Sequence, residues 1–259
     1  MSTGFPLEDA LRAKIEGGAK IFAPYVTSGL YGVDADLLRE FEAAGADAIE
    51  LGVPFSDPVV DGGVVQEASR RALEAGFHPR DAFELVREAN LSIPVLLMGY
   101  LNPILAMGEE AWISASVDVG VSGFIVPDLP VDEGADFAGR CYEAGLAPVF
   151  LAAPGTSVER MREVAGASRG CIYCVATYGV TGQTGTLGRA SREVVEALRP
   201  LTDRPLLVGI GVSTPEDARE QCIFADGVIV GSALVAPMLK GDFAGAIALA
   251  EGFRAAIPS

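Results

Sequence analysis

Short apolar runs alternate with longer amphipathic stretches from about residue 20 to the end of the chain. The runs fall at 21–26, 48–51, 95–98, 123–126, 148–151, 171–175, 206–209 and 227–230. Each is continuously hydrophobic rather than alternating, the pattern of parallel strands buried on both faces. Between them lie helical patterns. The stretch 33–44 sets Asp36, Arg39, Glu40 and Glu42 against Leu37, Leu38 and Phe41, and 81–89, 109–117, 134–144, 158–165, 191–198 and 215–221 follow the same plan. Start signals accompany several of them: Ser157, Ser191 and Ser213-Thr214-Pro215 offer side-chain oxygens to free N–H groups, and Pro79 stands just before Asp81.

A weak internal repeat supports this alternation. Ala44-Gly45-Ala46-Asp47-Ala48-Ile49-Glu50-Leu51 resembles Val119-Gly120-Val121-Ser122-Gly123-Phe124-Ile125-Val126, and similar segments end at Leu151 and Val230. Each reads as a helix end, a tight turn and a strand, with Gly45, Gly120 and Gly145 supplying left-handed turns. Eight such units without a break in composition predict one domain over 1–259, an α/β fold of the (β/α)₈ TIM-barrel class with an extra N-terminal helix. An open doubly wound sheet is the alternative, and no G-x-G-x-x-G follows its first strand.

Composition narrows the function classes. With 259 residues, half of them hydrophobic, the chain is long enough for a large core. The formal net charge of -16 repels phosphate backbones and argues against nucleic-acid binding. The N-terminal segment has no basic and apolar signal-peptide pattern, and no apolar run reaches the roughly 20 residues of a membrane span, so a soluble cytoplasmic protein is expected. Cys171 and Cys174 form a C-x-x-C, but residues three apart on a strand point to opposite faces and cannot share a metal. No His/Cys/Asp cluster has metal spacing, so neither a metal nor another cofactor is expected.

In a barrel, chemistry gathers where strands end. Glu50 interrupts the apolar second strand, and a loop rich in Pro, Gly and acidic residues follows it as far as Gly63. A carboxylate in that position is either paired with a buried cation or poised for proton transfer by a raised pKa. Asp57 and Asp61 stand before Pro58 and Gly62, as turn residues or as further acidic groups of the site. The one histidine, His78, follows no strand and reads as structural. Lys20 stands at the start of the first strand, the wrong end for a Schiff base. The loops Ala176-Thr177-Tyr178-Gly179-Val180-Thr181-Gly182-Gln183-Thr184-Gly185-Thr186, Gly209-Ile210-Gly211-Val212-Ser213 and Gly231-Ser232-Ala233 offer unobstructed N–H groups. The first has the polar, glycine-rich character of a lid, and the last two stand at the ordinal places of a barrel phosphate site.

These motifs resemble the tryptophan synthase alpha subunit family along nearly the whole chain. The likeness is specific at Glu50-Leu51-Gly52-Val53-Pro54-Phe55-Ser56-Asp57-Pro58 with Asp61-Gly62, at Gly179-Val180-Thr181-Gly182 and at Gly231-Ser232-Ala233, and Pro24-Tyr25-Val26-Thr27 looks like the family's first strand. The resemblance implies a lyase of tryptophan biosynthesis that cleaves indole-3-glycerol phosphate to indole and glyceraldehyde 3-phosphate. It implies Glu50 as the group that moves protons at indole C3 and the glycerol hydroxyl, and Asp61 as the partner of the indole N–H. Tyr173 matches a substrate-contacting tyrosine and Thr181 a lid threonine. Gly182, Gly211, Gly231 and Ser232 match a phosphate cradle, and Tyr25, Met98, Ile125 and Pro127 would line the indole pocket by position. The implied partner is a beta subunit in an alpha-beta-beta-alpha complex, with a stand-alone lyase as the alternative. Gly29-Leu30-Tyr31 departs from the family's Gly-Asp-Pro, Gly63 from its proline, and Ala176-Thr177-Tyr178 from its serine-containing lead into the lid; all lie where the family's beta subunit docks.

Overall fold

The computed structural model describes residues 2–176 and 187–258. Among them the chain forms β1 (Ile21–Thr27), β2 (Ile49–Gly52), β3 (Val95–Met98), β4 (Gly123–Ile125), β5 (Ala147–Val149), β6 (Leu151–Ala152), β7 (Ile172–Val175), β8 (Leu206–Gly209) and β9 (Gly227–Val230). All pairs are parallel, in the order β5-β4-β3-β2-β1-β9-β8-β7-β6. Since β5 and β6 are successive in the chain, the two ends of this order meet at Phe150 and the sheet is a barrel, as the apolar runs predict.

One expectation fails in detail. The run at 148–151 is not one strand. β5 bonds to β4 from Ala147 to Val149, whereas β6 bonds to β7 at Leu151 and Ala152. The chain steps from one neighbour to the other at Phe150, whose carbonyl accepts from Tyr173 N at 3.1 Å while its own N–H is directed to Ser168 Oγ at 3.3 Å. Pro148, with no N–H, cannot extend the ladder on its donor side. The wall therefore carries a seam above Val149.

Helices cover the outside of the barrel. Ala35–Ala43 is capped by Asp34, whose carboxylate accepts from Leu37 N at 3.0 Å, and Val158–Ala167 by Ser157. Thr214 and Asp217 form a reciprocal cap on Pro215–Gln221. Ser191 is not a cap. The helix Leu187–Leu198 begins a turn earlier, and the buried Ser191 hydroxyl donates to Gln221 Oε1 at 2.6 Å. Helices Gly63–Glu74, Leu101–Met107 and Phe243–Ala256 were not resolved by the hydrophobic pattern. Gly45, Gly120 and Gly145 do adopt positive φ, at 94°, 84° and 73°, where the repeat places its turns.

The N-terminal helix Pro6–Glu16 seals the barrel floor. Leu7 and Leu11 are fully buried, and Leu7 packs against Gly170 at the entry to β7. Buried Glu8 accepts from Gly170 N at 3.0 Å and pairs with Arg12 at 2.9 Å and Arg204 at 3.5 Å. Asp47, before β2, is held by Arg254 at 3.0 Å, Lys14 at 2.7 Å and the N–H of Phe22 at 3.0 Å. Charges inside this end are thus paired. No described helix is long and apolar enough to cross a membrane.

Candidate active site

At the opposite end the strand termini open into a cavity of about 660 Å³. Its lining includes ten of the twelve residues singled out from the sequence: Tyr25, Glu50, Asp61, Met98, Ile125, Pro127, Tyr173, Gly211, Gly231 and Ser232. The other two, Thr181 and Gly182, lie outside the described residues with the rest of the 179–186 lid segment. His78 sits away from the cavity, at the exposed start of helix Pro79–Ala89, where its N–H is held by Asp81 at 2.7 Å. Asp57 is an exposed turn residue that accepts from Ser56 at 2.5 Å.

β2 delivers Glu50 to the cavity, and the loop after β2 returns Asp61 to it. Val59 N bonds back to Asp57 O at 2.9 Å and Asp61 N to Pro58 O at 3.1 Å, two tight turns that end at the N-terminus of helix Gly63–Glu74. Glu50 is 2 % exposed, makes no ion pair with a described residue, and its Oε2 has no hydrogen-bond partner. The buried ion pair left open by the sequence is therefore absent among the described residues. Burial first, and the Asp61 charge second, push the Glu50 carboxyl up to about 8. Burial likewise raises Asp61 to about 7, opposed by the Tyr100 hydroxyl beside it. Two buried carboxyl groups raised to near neutrality in one chamber are suited to acid/base work at neutral pH.

Tyrosines surround this pair. Tyr25 is the register partner of Glu50 across β1 and β2. A side chain at Gly52 would begin 2.0 Å from the Tyr25 hydroxyl, and one at Gly209 would begin 2.2 Å from that of Tyr173. Each ring thus lies across the glycine of the next strand, and the two glycines are what lets the rings fold into the chamber. Tyr25 also meets Thr27 Oγ1 at 3.5 Å. Tyr100, just beyond β3, was missed by the sequence reading. Its hydroxyl accepts from Val60 N at 3.2 Å and its ring stacks on Phe55 at 5.1 Å, so it pins the loop that carries Asp61. The signal for it was present: a polar aromatic directly after strand-ending Met98-Gly99.

At the same strand ends Gly211 follows β8 and Gly231-Ser232 follow β9, where Ser232 stands beside the Asp61-Gly62 loop, its Oγ 3.6 Å from the position of a Cβ at Gly62. Ile210 has φ 58° and Gly211 φ 105°, a left-handed pair that turns the chain over the strand end and keeps Ile210 in the cavity wall. For a β-branched residue that conformation is rare and costs on the order of 1–3 kcal/mol. The two cysteines of the C-x-x-C are both buried and free; burial raises both thiols, after which Cys171 responds to Cys174, Glu50 and Glu8, and Cys174 to Arg199 and Asp226.

A parallel barrel with a raised carboxyl pair at its C-terminal strand ends, facing glycine-rich loops after its last two strands, defines a (β/α)₈-barrel acid/base enzyme for a phosphorylated substrate. The family is settled by comparison with known proteins. The family described as tryptophan synthase alpha chain matches residues 11–248. The chain is 44 % identical over 204 residues to the tryptophan synthase alpha chain of Leifsonia xyli subsp. xyli, covering 78 % of each. It is 38 % identical over 221 residues to that of Petrotoga mobilis, covering 84 % of this chain and 86 % of the relative. A structure of Mycobacterium tuberculosis tryptophan synthase superposes with a TM-score of 0.90 at 32 % identity over 98 % of both chains. The chain belongs to the tryptophan synthase alpha chain family, a family of carbon–carbon lyases acting on indole-3-glycerol phosphate.

Proposed function

We propose that the chain, one barrel domain over 1–259, cleaves indole-3-glycerol phosphate with Glu50 as proton shuttle and Asp61 as the stabiliser of charge on the indole nitrogen. The observation that carries these roles is two buried carboxyl groups lining one cavity, both raised to near neutrality, with Glu50 on β2 free of any described ion pair. Near neutral pH Glu50 can give a proton to indole C3 while the Asp61 carboxylate accepts the indole N–H and balances the cation that forms. The Glu50 carboxylate then takes the proton of the adjacent glycerol hydroxyl. That oxygen becomes the aldehyde carbonyl, the carbon–carbon bond breaks, and its electron pair restores the aromatic ring. The proton given to C3 stays on the indole, and the hydroxyl proton replaces it on Glu50, so the cycle leaves the enzyme unchanged.

Tyr25, Met98, Ile125, Pro127 and Tyr173 form the walls around the aromatic ring, Gly211, Gly231 and Ser232 hold the phosphate, and by resemblance Gly182 joins that cradle and Thr181 is the lid threonine that orders Asp61. Backbone N–H groups of these glycine-rich loops give the dianion a local refuge against a chain of net charge -16. The indole acceptor is a tryptophan synthase beta subunit docking on the barrel mouth. Apolar side chains stand in solvent there: Tyr31 is 92 % exposed after β1, Val59 77 % after β2 and Leu105 52 % after β3. Four unpaired thiols suit a reducing cytoplasm.

The test is incubation of purified protein with indole-3-glycerol phosphate, with and without a beta subunit, following indole and glyceraldehyde 3-phosphate. Indole formation that rises when the beta subunit is added is the expected result. No indole under either condition refutes the reading, and full turnover of the isolated chain with no response to a beta subunit refutes the partnership.

A further inference from the structure

The cavity does not end at the residues that surround the reacting atoms. It continues through the seam in the barrel wall. β4 ends at Ile125, opposite Val149, and from Phe150 on the chain bonds to β7 instead. Beyond these strand ends the chamber's lining reaches the helix layer, with Leu129 and Val131 of the loop after β4, Phe150 at the seam, Ala153 after β6 and Val164 of helix Val158–Ala167. Arg160 of the same helix stands at its rim and joins Asp132 at 2.6 Å, tying the two loops together over the annex.

Strand order fixes which end of a substrate meets this annex. Counting the broken fifth strand once, β4 and β9 stand opposite one another in an eight-membered ring. The glycine-rich loops follow β8 and β9, and the annex opens beyond β4 and β6. A molecule anchored by its phosphate at the first extends its other end toward the second. For indole-3-glycerol phosphate, that end is the six-membered ring of the indole.

We infer that the seam annex is a subsite for substituents on the six-membered ring of the indole, apolar along its walls and favouring a hydrogen-bond-accepting or anionic group at its Arg160 rim. The inference rests on the lyase reading above. Its content is separate: it concerns which ring-substituted indole-3-glycerol phosphates the enzyme accepts.

The experiment compares kcat/KM for the parent substrate and for analogues carrying a methyl or a carboxylate at ring position 5 or 6. It uses the wild type with its beta subunit, Ala153→Phe and Arg160→Ala. The wild type is expected to cleave at least one methyl analogue within about tenfold of the parent. Ala153→Phe fills the annex and should reduce the methyl analogue relative to the parent by roughly 10-fold or more, the range a hydrophobic pocket reaches for one carbon. Arg160, exposed on its helix, is replaced without disturbing the core, and Arg160→Ala should penalise the carboxylate analogue over the methyl one. Rejection of every substituted ring by the wild type overturns the inference. So does an equal loss on parent and analogues in Ala153→Phe together with no selective effect in Arg160→Ala. Failure of the parent reaction in the wild type would instead strike the lyase reading.

Discussion

Glu50 and Asp61 enter the same chamber from a single strand–loop unit, and the charge on Asp61 is one of the two causes that hold Glu50 protonated at neutral pH. Removing the ionisable group while keeping its shape isolates its chemical part. Glu50→Gln should lower kcat by about 10²–10⁴-fold, the usual weight of a general acid–base group, with substrate affinity retained. Steady-state kinetics alongside equilibrium binding reads both quantities, and an unchanged kcat would remove Glu50 from the mechanism.

The same two groups predict a pH signature. The productive form has Asp61 ionised, above about 7, and Glu50 protonated, below about 8. A narrow bell in kcat/KM between those limits is expected, its limbs belonging to the coupled pair. Stability moves one way only. Both folded carboxyl groups bind protons more tightly than they do at their ordinary values of 4.5 and 3.8. The fold is therefore favoured at low pH and weakened as pH rises from about 4 to about 8, by up to about 1.4 kcal/mol per pH unit for each group. Thermal melts across that range should show a shallower fall for Glu50→Gln than for the wild type.

Tyr100→Phe tests the pin on the Asp61 loop. The lost hydroxyl no longer accepts from Val60 N or opposes the burial of Asp61. Asp61 should titrate higher, so the acidic limb of the kcat/KM profile moves upward and activity near pH 7 falls by about threefold to tenfold. A loss equal at all pH values would assign Tyr100 a purely packing role.

Gly52→Ala inserts a methyl into the space of the Tyr25 ring, 2.0 Å from its hydroxyl. Overpacking of this kind costs about 1–3 kcal/mol, and here it should also move the ring across the catalytic chamber. A second change, Tyr25→Leu, should restore much of the melting temperature but not the activity. Additive effects in that double-mutant cycle would show that the two positions do not share the space.

At the other end of the barrel, Glu8→Ala strands Arg204 and leaves Gly170 N without its acceptor. A loss of about 3–5 kcal/mol is expected for breaking a buried pair, measured by denaturant unfolding. Turnover per folded molecule should stay within about twofold, since this end carries stability rather than chemistry.

Much of the barrel was legible because parallel strands buried on both faces must be continuously apolar, a signal that survives without knowledge of neighbours. Glu50 was legible for the same reason, as the charge that breaks such a run. What escaped depended on tertiary partners. The split at Phe150 is set by which strands lie on either side. Ser191 has a capping side chain, but its hydroxyl is claimed by Gln221 from another helix. Helix Gly63–Glu74 buries small residues, Ala68, Ser69 and Ala72, that make little hydrophobic contrast. Ile210 looks like any strand-end isoleucine, and its left-handed backbone is visible only in three dimensions.

The sealed floor has a consequence for traffic. Leu7, Leu11 and the Glu8 ion pairs stop the barrel at its lower end, so the chamber among the described residues behaves as a cup rather than a pipe. Under the proposed function, substrate enters and both products leave through that one rim. A protein seated on that rim would therefore decide the order of departure: by covering it, it becomes the aromatic fragment's only exit.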